Sequence, residues 1–251
     1  MRKILYLLIF LGVLFTLNAR EVMAADFSVD PVNVFFEAGQ RATILHVKNQ
    51  SDEKLTLQLT AYAWAQDKEG KDVYTPSDDV IIFPKILSFE RGEGRIVRMG
   101  IKAPPGRTEK TFRVYLEEIP GPRKSPDEGA VLRTIMRVGV PVFVSPVNAA
   151  PEGTIEALSF SRGNLSFAAR NTGNIHFIIK SIQINGFNKA GESVFRTELG
   201  GWYLLEDRSR SYTAAIPREI CTKLDYITID INTDRLTLKQ NLEVRSAQCS
   251  P

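Results

Sequence analysis

From Phe27 to Arg245 the chain repeats one pattern: a short run in which β-branched and aromatic residues alternate with polar ones, then a cluster of turn residues. A period of two sends successive side chains to opposite faces of a strand, so the pattern specifies β-sheet; helical periodicity is nearly absent. Strands are predicted at 27–36, 41–48, 54–66, 80–89, 95–102, 111–119 and 130–144. Between them stand Glu37-Ala38-Gly39, Asp67-Lys68-Glu69-Gly70, Arg91-Gly92-Glu93-Gly94 and Pro104-Pro105-Gly106, residues that supply the backbone angles turns need. Seven short strands in roughly 120 residues fit an immunoglobulin-like sandwich, with a closed barrel as the competitor.

The stretch Ser145-Pro146-Val147-Asn148-Ala149-Ala150-Pro151-Glu152-Gly153 interrupts the pattern and reads as a linker or a tight interdomain corner. Strands resume at 156–161, 164–170, 177–185, 193–199, 210–216, 226–232 and 237–245. In the run from Tyr226, Ile227, Ile229 and Ile231 face one way and Thr228 and Asp230 the other. A second sandwich is expected, giving an all-β protein of two immunoglobulin-like domains, 25–146 and 147–251. The two halves share no sequence repeat.

Ahead of the first strand, Arg2 and Lys3 precede an apolar run from Ile4 to Leu17, followed by Val22-Met23-Ala24-Ala25. This reads as a signal peptide, 1–24, cleaved after Ala24; its apolar core is too short to span a bilayer. No cysteine follows to carry a lipid, and no later segment suits a membrane crossing, so a soluble product outside the cytoplasm is expected. Without the leader's Arg2, Lys3, Arg20 and Glu21, 29 basic and 28 acidic residues remain. A balance this even gives no reason to expect nucleic acid or an anionic membrane as partner. Cys221 and Cys249 are the two cysteines, expected to pair in an oxidising compartment and to contribute about 3 kcal/mol.

Catalytic chemistry finds little to work with. His46 and His176 have no companion His, Cys or carboxylate at metal-ligand spacing, and both read as structural residues. No nucleophile elbow, phosphate loop or dinucleotide fingerprint occurs, so neither cofactor, metal nor enzyme is expected. Glu117 and Glu118, adjacent in a strand, point to opposite faces. Gly200-Gly201 reads as a turn or bulge ahead of Trp202-Tyr203.

The segment 129–146 is long for a strand. One face of its first half carries Leu132, Thr134, Met136 and Val138; the other carries Val131, Arg133, Ile135 and Arg137. Two readings stand: these residues fill the sandwich core, or the segment is an edge strand whose apolar side chains are reserved for a partner strand.

With these residues in view the chain resembles the periplasmic pilus-assembly chaperones of the chaperone–usher family. The resemblance rests on Phe27-Ser-Val-Asp-Pro-Val-Asn-Val-Phe-Phe36 with Gly39 and Val47-Lys48-Asn49; on Ile82-Phe83-Pro84, Phe89-Glu90-Arg91-Gly92 and Arg98; on Tyr115-Leu116-Glu117-Glu118-Ile119-Pro120; and on 131–144. The stretch from 133, with Val140-Pro141-Val142-Phe143-Val144, is similar to the divergent, archaic branch. The resemblance implies two immunoglobulin-like domains in a boomerang with a cleft between them. It implies that the last strand of the first domain completes an unfinished pilus subunit, inserting Leu132, Thr134, Met136 and Val138; a slip of one residue would instead nominate Val131 and Ile135. Delivery to an outer-membrane usher and a periplasmic location are implied as well, and an uncovered strand favours protection, including a self-capped dimer.

The family's usual cationic anchors for the subunit's terminal carboxylate align with Asn33 and Pro141, and its arginine before the closing proline aligns with Ser145. A desolvated carboxylate still needs a cation, and Arg113 is the first candidate, with Arg98 and Arg137 as alternatives. Two rival readings are a secreted structural pilus subunit or adhesin and a carbohydrate-binding surface module with Trp64 and Trp202 as ligand platforms.

Overall fold

The computed structural model describes residues 27–37, 39–102, 104–121 and 134–249. The expected leader, and Val131, Leu132 and Arg133 of the expected long strand, lie outside the described residues.

The first half is built from β1 Phe27–Asp30, β2 Val34–Phe36, β3 Ala42–Asn49, β4 Leu55–Gln66, β5 Asp72–Pro76, β6 Val80–Phe83, β7 Ile86–Phe89, β8 Gly94–Ile101, β9 Lys110–Glu118 and β10 Arg137–Val144. One sheet runs β1-β3-β8-β6; the other runs β2-β10-β9-β4-β5, with β7 also paired to β4. Leu45, Val47, Val97 and Met99 from the first sheet and Leu57, Leu59, Phe112, Val114 and Leu116 from the second meet in one buried core. The alternation that defines each strand therefore aims one face of each sheet at the other.

Two predicted strands are each two. The run 27–36 breaks at Pro31 and the run 80–89 at Pro84, and at both points the chain passes from one sheet to the other. Proline has no N–H for a ladder and a fixed φ, so the strand ends there although the apolar period continues across it. Strand β5, against residues 62–66 of β4, is too short for its alternation to stand out between Gly70 and Pro76. The predicted strand 130–144 is, in its described part, the ladder β10, with Thr134 to Met136 outside the strand and leading into it.

The second half contains β11 Gly153–Ser161, β12 Asn164–Asn171, β13 Phe177–Phe187, β14 Ser193–Gly200, β15 Tyr203–Leu204, β16 Ser209–Ala215, the single-turn helix α1 Arg218–Cys221, β17 Tyr226–Thr233, β18 Thr237–Glu243 and a 3-10 turn Ser246–Cys249. Its sheets run β11-β12-β16 and β14-β13-β17-β18, with β15 added to β13. Ile227, Ile229 and Ile231 lie wholly inside the second core. A disulfide between Cys221 and Cys249 ties α1 to the 3-10 turn. The architecture is all-β, two sandwiches in sequence.

Two measurements check this account. Leu116→Ala, at the centre of the first core, is expected to lower stability by about 2–5 kcal/mol, read as an earlier urea midpoint at unchanged slope. Replacing both cysteines by alanine is expected to cost about 2–4 kcal/mol in the same assay, with the transition of the second half moved.

Candidate functional site

Strand β10 is paired unequally along its length. On one side β9 runs antiparallel to all of it, Arg137 opposite Glu117 through Val144 opposite Lys110. On the other, β2 runs parallel but reaches only Val142 to Val144. Residues 137–141 therefore form an open edge among the described residues. The Met136 carbonyl accepts from the Glu118 N–H, while the Ser145 N–H donates to the Phe36 carbonyl. By the alternation of a strand, Arg137 and Gly139 then turn their main-chain groups to the open side. Pro141 shares that orientation, so its missing N–H deprives β9 of no ladder bond.

The side chains of β10 divide between two faces. Val140, Val142 and Val144 are buried in the first core, and Met136 and Val138 lean half-buried on its rim. Thr134 is exposed, and Ile135 is 51% exposed on the opposite face. Of the residues expected to insert into a partner, Met136 and Val138 thus keep accessible apolar surface at the rim; Leu132 is outside the described residues.

The outer face of the same sheet is an aromatic basin. Arg113, cross-strand from Pro141, is buried with its guanidinium 4.2 Å above the Trp64 ring and 5.9 Å from both Tyr74 and Tyr203. Its Nη1 donates to the Gly139 carbonyl at 3.3 Å, and its Nε and Nη2 are buried without a hydrogen-bond acceptor. Aromatic faces attract the cation in place of an anion. Burial pushes the Tyr74 and Tyr203 phenols above the ordinary tyrosine range, against the opposing pull of the Arg113 charge.

Arg137 stands at the start of β10, 3.9 Å over Tyr115 and 3.3 Å from Glu117, exposed. Arg98 is on the other sheet, exposed on its outward face between Ile44 and Phe83. The fold thus brings Arg113 and Arg137 beside β10 and leaves Arg98 away from it. Asn33 enters the basin as the acceptor of the Tyr203 hydroxyl, 3.3 Å away. Gly139 suits this crowded position: a Cβ would lie 2.8 Å from Tyr115 Cε1 and 3.1 Å from Arg113 Cδ, so the tyrosine ring would have to shift to admit one.

The basin is also where the two sandwiches meet. Trp64, Phe143 and Leu205 form a small buried cluster flanked by Tyr74 and Tyr203. Buried Gln66 donates from Nε2 to the Tyr203 carbonyl at 2.9 Å and accepts the Leu205 N–H at 3.0 Å. Trp202 Nε1 donates to Asp72 at 2.9 Å. Trp64 is 3% exposed and offers no platform to a sugar; Trp202, 43% exposed, has its indole N–H committed across the joint.

Sequence spacing missed one pair. His176, read as a structural residue with no carboxylate at metal-ligand spacing, is paired with Glu109, 67 positions away, with Nδ1 to Oε2 at 2.6 Å. Only tertiary packing brings them together, so no local motif announces them. His46 is an exposed strand residue. Among the described residues no group of three or more His, Cys, Asp or Glu is arranged to hold a metal ion.

Comparison with known proteins bears on the fold and on the family. Residues 26–150 match the family described as pili and flagellar-assembly chaperone, PapD N-terminal domain. Over 123 residues the chain is 30% identical to YbgP, an uncharacterized fimbrial chaperone of Escherichia coli strain K12. That match takes in 47% of this chain and 48% of the relative, so about half its length is spanned. Among solved structures, the CsuC–CsuE chaperone–tip subunit complex of archaic Csu pili from Acinetobacter baumannii has a TM-score of 0.59 at 17% identity, covering 85% of this chain and 98% of the matched one. The Salmonella enterica SafA pilin–SafB chaperone complex has a TM-score of 0.54 at 13% identity, covering 86% and 96%. At such identities these two establish a common fold. By the match over its first sandwich, the chain belongs to the pilus-assembly chaperone family defined by the PapD N-terminal domain.

Proposed function

We propose that the chain, after removal of a leader at 1–24, is a periplasmic chaperone that holds pilus subunits by donor-strand complementation and passes them to an outer-membrane usher. It would act through two domains, 25–146 and 147–251, without catalysis or cofactor. The observation that carries this reading is the open edge of β10 beside half-buried Met136 and Val138. An incoming strand gains main-chain hydrogen bonds of about 0.5–1.5 kcal/mol each from residues 137–141. Apolar side chains at Leu132, Thr134, Met136 and Val138 fix its register, each fully buried Leu or Met contributing about 1.5–3 kcal/mol. No nucleotide is needed, since folding of the subunit supplies the driving force.

Arg113 is the proposed anchor for the subunit's terminal carboxylate. It is a buried cation with two donor nitrogens lacking acceptors, one strand in from the open edge. The usual anchor positions, Asn33 and Pro141, lie around it, so the charge has moved to the neighbouring strand. In the free chain Trp64, Tyr74 and Tyr203 cover the guanidinium; the carboxylate reaches Nε and Nη2 by displacing that cover. Arg137 already has Glu117 as its counter-ion, and Arg98 faces away from β10, which leaves Arg113 in first place. A free edge of this kind needs cover when no subunit is bound, and pairing of two copies edge to edge would supply it.

The reading is tested by co-expressing the mature chain with a small exported subunit encoded beside its gene. Met136→Glu is expected to abolish co-purification while leaving the thermal midpoint of the chaperone in place, and an unchanged yield refutes donor-strand binding. Arg113→Met, which keeps the stem against Trp64 and removes the charge, is expected to weaken the complex by about 2–5 kcal/mol, roughly 30-fold or more. Equal affinity in the variant removes Arg113 as anchor.

A further inference from the structure

The buried Glu109–His176 pair does more than satisfy a histidine. Its side chains are 3% and 1% exposed, whereas the surface pairs of this chain stand in solvent. Glu109 Oε2 accepts twice, from the His176 main-chain N–H at 2.9 Å and from Nδ1 at 2.6 Å. The Glu109 N–H in turn donates to the Asn174 carbonyl at 2.9 Å. Asn174 Nδ2 donates to the carbonyls of Arg107 and Asn148, and its Oδ1 accepts the Ala150 N–H. The turn before β13 is therefore stitched to the segment before β9 and to the connection between the sandwiches.

What this stitching holds in place is the imidazole ring. His176 stacks on Phe143 with centroids 3.8 Å apart and planes 13° from parallel. Phe143 is fully buried on the outer face of β10, with Phe35, Trp64 and Tyr203 at 5.3, 6.0 and 6.0 Å. It sits in the stretch of β10 that β2 also grips, directly after the open edge.

We propose that Glu109 and His176 are positioning residues for the donating strand: the carboxylate fixes the ring, the ring clamps Phe143, and the clamped base sets the direction in which residues 137–141 project. This rests on the donor-strand reading and adds to it that the second sandwich, through one side chain, controls presentation of the edge. The geometry gives the clamp a mechanical sense. A strand with one neighbour over its first five residues depends on its anchored end for order, because an unpaired edge frays at little cost.

The test is amide hydrogen exchange on the full mature chain, free of any subunit, in the parent and in His176→Ala. Exchange across Val140–Val144 and across β2 is expected to rise at least tenfold, with β8 and β17 unchanged. Equal exchange in β10 overturns the clamp, as does a uniform rise across both sandwiches. Should His176→Ala fail to fold, Glu109→Gln takes its place; it keeps the shape of the acceptor and removes the charge, and a rise of at least threefold confined to the same stretch is expected, an unchanged rate refuting the proposal. A parallel co-purification with the subunit separates the two ideas. Loosened β10 with no capture in the parent chain upholds the clamp and sinks the chaperone reading, while capture with unaltered exchange does the reverse.

Discussion

A strand that is bonded on both sides at one end and on one side at the other is the constraint around which the rest of this protein is arranged. Strand β10 has β9 throughout but β2 only at Val142–Val144, so among the described residues no second strand pairs with residues 137–141 on the side away from β9. Ordinary sheets cover or charge such an edge because it invites indiscriminate pairing. Here Arg137 stands at its start and Pro141 closes it, one a charge and the other a residue without a donor. Between them no second strand pairs with the edge among the described residues.

The second dependence is on the joint between the sandwiches. Apolar contact there is small, a cluster of Trp64, Phe143 and Leu205 with two tyrosines. Directional bonds do much of the rest: Gln66 to residues 203 and 205, Trp202 to Asp72, Glu109 to His176. Such bonds are modest individually and costly to leave unmade once buried, so they favour one arrangement more sharply than contact area would. A buried arginine beneath aromatic rings belongs to the same economy, a cation kept dry by quadrupoles in place of a counter-ion.

How much of this was legible beforehand follows from which signals are local. Alternation identified most strands and the direction of Ile227, Ile229 and Ile231, because period two is carried by neighbouring residues. It could not see that Pro31 and Pro84 mark passages between sheets, since the apolar rhythm runs through both. Arg113 was named first among three arginines, with Arg98 and Arg137 as alternatives, because the aligned anchor positions hold Asn33 and Pro141. Its aromatic surroundings were not readable: Tyr203 lies in the other half of the chain, and Trp64 and Tyr74 look like ordinary strand residues until β9 is laid beside β4. Glu109 and His176 were unreadable for the same reason, being joined only by the meeting of the two halves.

Gly139 has a consequence for evolution as well as for shape. Its missing side chain leaves a bare step on the sheet's outer surface, hemmed by the Tyr115 ring and the Arg113 stem, so that a methyl group there would require the Tyr115 ring to move. Keeping those two neighbours in place favours glycine there, and losing them frees the step to be filled. Along β10 that position would then vary together with its two neighbours, while the residues on either side of it change independently.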